Sequence, residues 1–240
     1  DLDSLATGLV RGAFEYQGQK CSAASRAYIP DSLWKQVRKQ LLDAVASIQM
    51  GDVTDFRTFM GAVIDQGAYA SIKGYIDRAK SKEARGKAKI IAGGNCDDAV
   101  GYFIEPTVIH ATDPHYETMV EEIFGPVLTL YVYEEKDLLK TLRLCDTASA
   151  YALTGAIFGQ DRAALIRMKD ELEGTAGNFY INDKPTGAVV GQQPFGGSRA
   201  SGTNDKAGSY LNLLRWTSPR TIKENFIPPK HFSYPFMGEE

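Results

Sequence analysis

Val127-Leu-Thr-Leu-Tyr-Val-Tyr133 is an uninterrupted run of β-branched, leucine and aromatic side chains, which is typical of a buried β-strand. The stretch that follows it, Glu135 to Ala148, carries leucines at helical spacing and predicts an amphipathic helix. The pattern then repeats as a strand over Leu153–Phe158, a helix over Arg162–Leu172 and a strand over Asn178–Ile181. Strands that alternate with helices at this spacing indicate an α/β layer structure with a mainly parallel sheet.

Two further amphipathic helices are predicted earlier in the chain. The first begins near Asp31 and is expected to end at Gly51, because apolar residues recur between them at three- and four-residue intervals. The second covers Ile64 to Ala79 and leads into the charge run Lys80–Lys87, which is expected to be a solvated helix end. A short strand over Lys89–Ala92 closes on a pair of glycines.

The composition is that of an ordinary globular chain of 240 residues, with 43% hydrophobic and 24% charged residues. The formal charge of -3 and the isoelectric point near 5.7 give no electrostatic reason to expect binding to nucleic acid or to an anionic membrane. No apolar run reaches the length of a membrane span, so no membrane partner is expected.

The cysteines indicate a reducing compartment. Cys21, Cys96 and Cys145 are odd in number, lie far apart and form no CxxC pair, which argues against a disulfide framework and a structural zinc site. The histidines also lack the spacing of metal ligands. No metal site is therefore expected.

Cys21 is the most informative cysteine because of its neighbours. It follows a turn around Gly18, has Lys20 beside it and is followed by small residues that would let a helix begin there. A helix N-terminus and an ammonium group both favour a thiolate, which is the nucleophilic form of cysteine. The alternative is a buried structural cysteine, which is the more frequent case for an arbitrary cysteine.

Three downstream clusters could also carry chemistry. Glu121–Pro126 places a carboxylate and an aromatic ring before a strand, although an ordinary helix-to-strand turn has the same composition. Lys184–Gly191 is a glycine-containing loop whose N–H groups could bind an anion, or a plain surface loop. In Gln193–Gly202, the ring of Phe195 is held between a proline and a glycine.

In this order and at these separations, the clusters resemble the motifs of the aldehyde dehydrogenase superfamily. The resemblance covers essentially the whole chain and implies its catalytic domain, a three-layer α/β fold with an open, twisted, mainly parallel sheet. It narrows to the members that oxidise glutamate γ-semialdehyde to glutamate in proline breakdown. The segments that carry this narrower resemblance are Gln17–Ser22, Asn182–Lys184, Val190–Gly197, Gly202–Asp205 and Arg215–Pro219.

The resemblance implies specific roles in an NAD-dependent oxidation. Cys21 would be the nucleophile that forms a thiohemiacetal and then a thioester, and its backbone N–H would donate to the oxyanion. Glu122 would hold the hydroxyls of the nicotinamide ribose, and Phe124 would pack beside that ribose.

The resemblance also implies how the substrate is held. The α-carboxylate of glutamate semialdehyde would be bound by the Ser22 hydroxyl and by the backbone N–H groups of Gly187 and Ala188. Phe195 would line the aliphatic part of the substrate.

The resemblance divides the chain into a catalytic domain, residues 1–212, and a C-terminal oligomerisation strand and tail, residues 213–240, through which a homodimer or larger homo-oligomer is expected. No dinucleotide fingerprint is present, and the family's N-terminal coenzyme domain has no counterpart here. The isolated chain is therefore expected to bind NAD+ poorly and to turn over negligibly. The similarity favours a location in the mitochondrial matrix, with the bacterial cytoplasm as the alternative.

Two alternatives from other functional classes stay open. The chain could be a non-catalytic fragment that serves as a structural or oligomerisation module. It could also be a cysteine-dependent hydrolase or acyltransferase, but that chemistry needs a histidine base, and none of the histidines lies in a supporting motif.

Overall fold

The computed structural model describes residues 1–238. The helices are α1 (Leu2–Phe14), α2 (Asp31–Ala46), α3 (Gln66–Lys80), α4 (Glu117–Val120), α5 (Leu138–Thr147), α6 (Arg162–Glu171) and α7 (Tyr210–Leu214). The strands are β1 (Arg26–Pro30), β2 (Ala88–Ala92), β3 (Cys96–Asp97), β4 (Phe103–Ile104), β5 (Thr107–Ala111), β6 (Val127–Tyr133), β7 (Tyr151–Ala152), β8 (Thr154–Ile157), β9 (Asn178–Ile181) and β10 (Ser198–Arg199). Short 3-10 turns cover Glu15–Gly18, Glu135–Asp137 and Pro235–Gly238.

The central sheet has four strands in the order β1-β6-β5-β2. The pairs β1–β6 and β5–β6 are parallel, and β2 is an antiparallel edge strand. Strands β8 and β9 form a separate parallel pair, while β3–β4 and β7–β10 are short antiparallel pairs. The predicted α/β fold with a mainly parallel sheet is confirmed.

Helices cover both faces of the central sheet. On one face, α1 and α2 supply Phe14 and Leu41, which pack with Leu128 of β6 in one buried cluster. On the other face, Ile76 of α3 packs with Val127, the neighbour of Leu128 along β6. Successive strand residues point to opposite faces, so the continuous apolar run of β6 is explained by burial on both sides. This arrangement is the predicted three-layer fold.

The element boundaries follow the sequence pattern closely in the second half of the chain. Strands β6 and β9 have the predicted bounds, and α6 ends one residue before the predicted end. In the first half, α2 ends at Ala46 and not at Gly51, and Ile64 lies outside α3 with 79% of its surface exposed. Asp65 explains the later start of α3, since its side chain accepts a hydrogen bond from the N–H of Ala68 as an N-cap.

The C-terminal segment differs from the prediction. Leu213 and Leu214 close α7, so an extended segment does not begin at Leu213, and residues 215–234 contain no helix or strand within this chain. A strand requires a partner for its backbone hydrogen bonds, and the partner of an oligomerisation strand would belong to another copy, so that strand stays a prediction. Residues 239–240, the last two of the predicted oligomerisation tail, lie outside the described residues. Within the described part of the chain, no helix is long and apolar enough to cross a membrane.

Candidate active site

Cys21 is exposed in a turn between α1 and β1. The chain leaves α1 at Phe14 and reverses through Tyr16 and Gln17, which both have left-handed φ angles of 55° and 57°. No helix begins after Cys21, so that expectation is wrong. The small residues that follow Cys21 lead into β1 instead, which is fixed by its pairing with β6. A helix N-terminus therefore does not contribute to the electrostatics of this thiol.

Two glutamine side chains hold this turn in place. Gln17 donates through Nε2 to the carbonyl of Ala62 at 3.1 Å and accepts through Oε1 from the N–H of Gly61 at 3.1 Å. Gln19 accepts through Oε1 from the N–H of Ile64, also at 3.1 Å. Left-handed backbone costs roughly 1–3 kcal/mol per non-glycine residue, so these bonds offset the strain at Gln17 and its neighbour.

Gly18 brings the turn against the Glu121–Pro126 cluster. Its φ is +66°, and a Cβ at this position would lie 2.3 Å from the carbonyl oxygen of Gly125. Because only glycine permits this approach, the turn and the cluster share the walls of one cavity of about 120 Å³. Its lining includes Cys21, Glu122 and Phe124.

The cavity presents a carboxylate and a ring near the thiol. Glu122 is exposed, and Phe124 has 43% of its surface exposed on a left-handed backbone with φ 57°. Among the described residues, the Glu122 carboxylate makes no ion pair. A free carboxylate accepts hydrogen bonds from hydroxyls, and an exposed ring can pack against a sugar or a planar group. The pair therefore fits the nicotinamide end of a dinucleotide.

Ser22 lies beside the thiol but is buried, with 7% of its surface exposed. Its hydroxyl shares a hydrogen bond of 2.7 Å with that of Thr186, so the turn that carries Cys21 (residues 15–22, the nucleophile turn of the prediction) contacts the predicted anion-binding loop. In that loop Gly187 has φ +84°, and Gly187 is exposed while Ala188 is half-buried. Neither of their N–H groups donates a hydrogen bond to residues 1–238.

Phe195 lies in a segment outside the lining of this cavity. Its backbone exchanges two hydrogen bonds with Ala207. Asn178 of β9 fixes the same segment, since it donates to the carbonyl of Pro194 and accepts from the N–H of Gly196. The cavity lining therefore groups Cys21 with Glu122 and Phe124, and it includes none of Phe195, Gly187 and Ala188.

Sequence reasoning missed an ion-pair cluster beside the thiol. The Glu15 carboxylate accepts hydrogen bonds from Lys184 at 2.7 Å to both oxygens and from Lys20 at 2.9 Å. Partial burial works to raise the pKa of Glu15, but the hydrogen bonds and charges of Lys184 and Lys20 outweigh it and hold the pKa below its usual value. The only signal in the sequence is an acidic residue five positions before Lys20, which is too common to be informative.

Several known proteins are similar to this chain in sequence and in fold. Residues 1–222 match the sequence profile of the aldehyde dehydrogenase family. The chain is 60% identical over 237 residues to the mitochondrial delta-1-pyrroline-5-carboxylate dehydrogenase of Dictyostelium discoideum, covering 99% of this chain and 42% of that protein. It is 51% identical over 238 residues to the human mitochondrial protein of the same name, again covering 99% and 42%.

A solved structure is similar in fold as well as in sequence. The crystal structure of the delta-pyrroline-5-carboxylate dehydrogenase from Mycobacterium tuberculosis bound with NAD superposes with a TM-score of 0.84 at 50% identity. The match covers 99% of this chain and 42% of that one. The chain thus spans less than half the length of the relatives it matches.

Proposed function

The chain belongs to the aldehyde dehydrogenase family, and from that premise we propose that it is the nucleophile-bearing part of an NAD-dependent enzyme that oxidises L-glutamate γ-semialdehyde to L-glutamate. The observation that carries the proposal is the cavity whose lining includes Cys21, Glu122 and Phe124. The semialdehyde is the open form of Δ1-pyrroline-5-carboxylate, and the names of the similar proteins support this substrate. The word mitochondrial in those names supports a mitochondrial location, with the matrix as the proposed compartment, and the similar Mycobacterium tuberculosis protein supports the bacterial cytoplasm as the alternative.

The chemistry begins at Cys21. Its thiolate attacks the aldehyde carbon, which forms a carbon–sulfur bond and places a negative charge on the former carbonyl oxygen. The backbone N–H of Cys21 makes no hydrogen bond to the described residues and is free to donate to this oxyanion, a contribution of roughly 3 kcal/mol for a single donor. When the oxyanion collapses, hydride leaves the carbon and a thioester to Cys21 is formed. Water then hydrolyses the thioester to glutamate and the free thiol.

NAD+ accepts the hydride when it is bound. In this site, Glu122 would accept hydrogen bonds from the ribose hydroxyls, and Phe124 would pack against the ribose. The left-handed backbone of Phe124 supports this assignment, because strained backbone persists where the surrounding structure holds a side chain in a required position.

The loop after Thr186 is proposed to bind the α-carboxylate of the substrate. Gly187 and Ala188 offer two successive N–H groups without a partner among the described residues, which is the arrangement of an anion-binding nest. Ser22 completes the site if Thr186 donates in their shared hydrogen bond, because the Ser22 hydroxyl then keeps its own proton for the carboxylate. Phe195 is proposed to line the aliphatic part of the substrate.

The test uses the full-length protein that contains this chain. Cys21→Ser should abolish oxidation of glutamate semialdehyde, because a hydroxyl is a far weaker nucleophile than a thiolate. Ser22→Ala should raise KM for glutamate semialdehyde roughly tenfold, as for the loss of one hydrogen bond to a charged group, and leave KM for propanal unchanged. Equal changes for both aldehydes would contradict the proposed carboxylate site.

We also propose that residues 213–240 hold two copies of the protein together. Trp216 is 80% exposed and Phe232 is 98% exposed, and large apolar side chains in this number are unusual on a free surface. Light scattering should report an oligomer for the full-length protein and a monomer when the chain ends at residue 212. An unchanged number of copies in the assembly after truncation would refute this role. It would also remove the reason for placing the boundary of the proposed catalytic domain at residue 212.

A further inference from the structure

Glu15 joins three segments that lie far apart in sequence. It follows the end of α1, it accepts from Lys20 in the nucleophile turn at 2.9 Å, and it accepts from Lys184 at 2.7 Å to both oxygens. Only 22–24% of the surface of each of these side chains is exposed to solvent. Charged hydrogen bonds with little access to water are stronger and more directional than surface ion pairs.

A second link lies two residues further along both segments. The buried hydroxyls of Ser22 and Thr186 share a hydrogen bond of 2.7 Å. Lys20, just before Cys21, is therefore linked to Lys184 through Glu15. Ser22, just after Cys21, is linked directly to Thr186. The thiol sits between two cross-links to the same loop.

Packing beneath these links closes the arrangement. A Cβ at Gly12 of α1 would lie 3.2 Å from the Cβ of Ala24 and 3.3 Å from the Cδ of Pro185. The N–H of Ala24 also donates to the carbonyl of Gly12 at 2.8 Å. The helix end, the nucleophile turn and the loop therefore pack so closely that a methyl group at Gly12 would push its neighbours away.

We propose that Glu15 is a positioning residue that fixes the distance between the Cys21 thiol and the N–H groups at positions 187 and 188. This inference rests on the proposed function, in which the thiol meets the aldehyde and the loop meets the α-carboxylate. The distance between these two ends of the site then selects the length of the aldehyde. Glu15 touches neither the substrate nor the reacting atoms, and it acts through Lys20 and Lys184.

The test compares aldehydes that differ in length. In the full-length protein, kcat/KM is measured for glutamate semialdehyde, for the amino-acid semialdehydes one methylene shorter and one longer, and for propanal. A site that measures length discriminates one methylene by roughly 10- to 200-fold. Glu15→Gln keeps the side-chain shape and removes the charge, and it should reduce that discrimination at least about tenfold while changing propanal by less than about twofold. Glu15→Asp keeps the charge on a shorter side chain, so its length discrimination should lie between that of the unmodified protein and that of Glu15→Gln.

The matched control is Asp43→Asn. It removes an exposed ion pair with Lys39 on α2, away from the loop, and should leave all four substrates unchanged. A uniform loss for all substrates in Glu15→Gln would indicate a merely structural role and would overturn the inference. Failure of the unmodified protein to oxidise glutamate semialdehyde would instead overturn the proposed function.

Hydrogen–deuterium exchange provides a readout without substrate. In Glu15→Gln, peptides that cover residues 16–24 and 182–190 should both exchange faster than in the unmodified protein, because both segments lose the same anchor. If this variant does not fold, Lys184→Gln removes the same link from the loop side and is measured in the same way. Unchanged exchange in both segments would refute the link.

Discussion

Replacement of Gly18 by alanine should separate the two halves of the candidate site. A Cβ at this position would lie 2.3 Å from the carbonyl oxygen of Gly125 and 2.7 Å from that of Ala13. Both neighbours are backbone atoms, which cannot rotate away. An ordinary contact begins near 3.4 Å, so the turn and the Glu121–Pro126 cluster must move apart by about 1 Å. This displacement would move the segment that carries Cys21 away from the segment that carries the candidate cofactor residues.

The energetic cost has two parts. The left-handed φ of +66° costs alanine about 1–2 kcal/mol, and the forced displacement of packed backbone costs about 1–3 kcal/mol more. Gly86→Ala is the matched control, because Gly86 has φ +80° and nothing within 4 Å of its Cβ position. The control should lose only the first part, about 1–2 kcal/mol.

Urea titration of each variant measures the free energy of unfolding, and steady-state kinetics of the full-length protein measure kcat/KM. For Gly18→Ala, we expect kcat/KM for glutamate semialdehyde to fall about 100-fold, because a misplacement of about 1 Å at reacting groups has this effect. Gly86→Ala should keep its kinetics. If the two variants lose the same stability and both retain kcat/KM, the close approach at Gly18 does not position the site.

Three other changes test the supports of the site. Gln17→Leu should lower the free energy of unfolding by about 2 kcal/mol, because it removes two hydrogen bonds to the backbone and leaves the N–H of Gly61 without its acceptor. A loss below about 0.5 kcal/mol would show that Gln17 does not hold the turn in place. Phe14→Ala should cost about 3–5 kcal/mol in a urea titration, since its side chain is fully buried between α1 and the sheet, and a smaller loss would mean that the helix end repacks. The ion pairs of Glu15 should stabilise the fold at pH values above 4.5, its ordinary pKa, and this stabilisation should be lost as the pH falls through its lowered pKa in the folded protein. The difference in Tm between the unmodified protein and Glu15→Gln should therefore be present at pH 7 and vanish in acid. A difference in Tm that does not change with pH would exclude the ion pairs as its cause.

The sequence predicts the elements whose pattern comes from burial. Strand β6 is a continuous apolar run because both of its faces are covered, and the bounds of β6 and β9 agree with the prediction. The sequence pattern does not predict helix α1 or strand β1, although α1 contributes Leu9 and Phe14 to the core. Helix α1 contains glycines that lower its helix propensity, and β1 is a short strand that is stabilised by its pairing with β6.

The candidate site shows the same division. The motifs identify Cys21, Glu122 and Phe124, which the structure brings to one cavity. They do not identify Glu15, since its partner Lys184 lies in a distant segment that only the tertiary fold brings near. The helix expected after Cys21 is wrong for a related reason. Small residues permit a helix start, but parallel pairing with β6 is available to the same segment and stabilises a strand.

The pairing of β1 with β6 explains why Cys21 and the candidate cofactor residues line one cavity. In this parallel pair, Arg26 lies opposite Thr129. Cys21 precedes Arg26 by five residues and Phe124 precedes Thr129 by five, so the register alone places both at the amino ends of adjacent strands. Because a parallel register cannot shift by one residue without turning buried side chains to the wrong face, the core of β6 also fixes the alignment of the site. The register of the sheet thus brings the segments that carry Cys21 and Phe124 to the same edge, and Gly18 allows these two segments to reach contact.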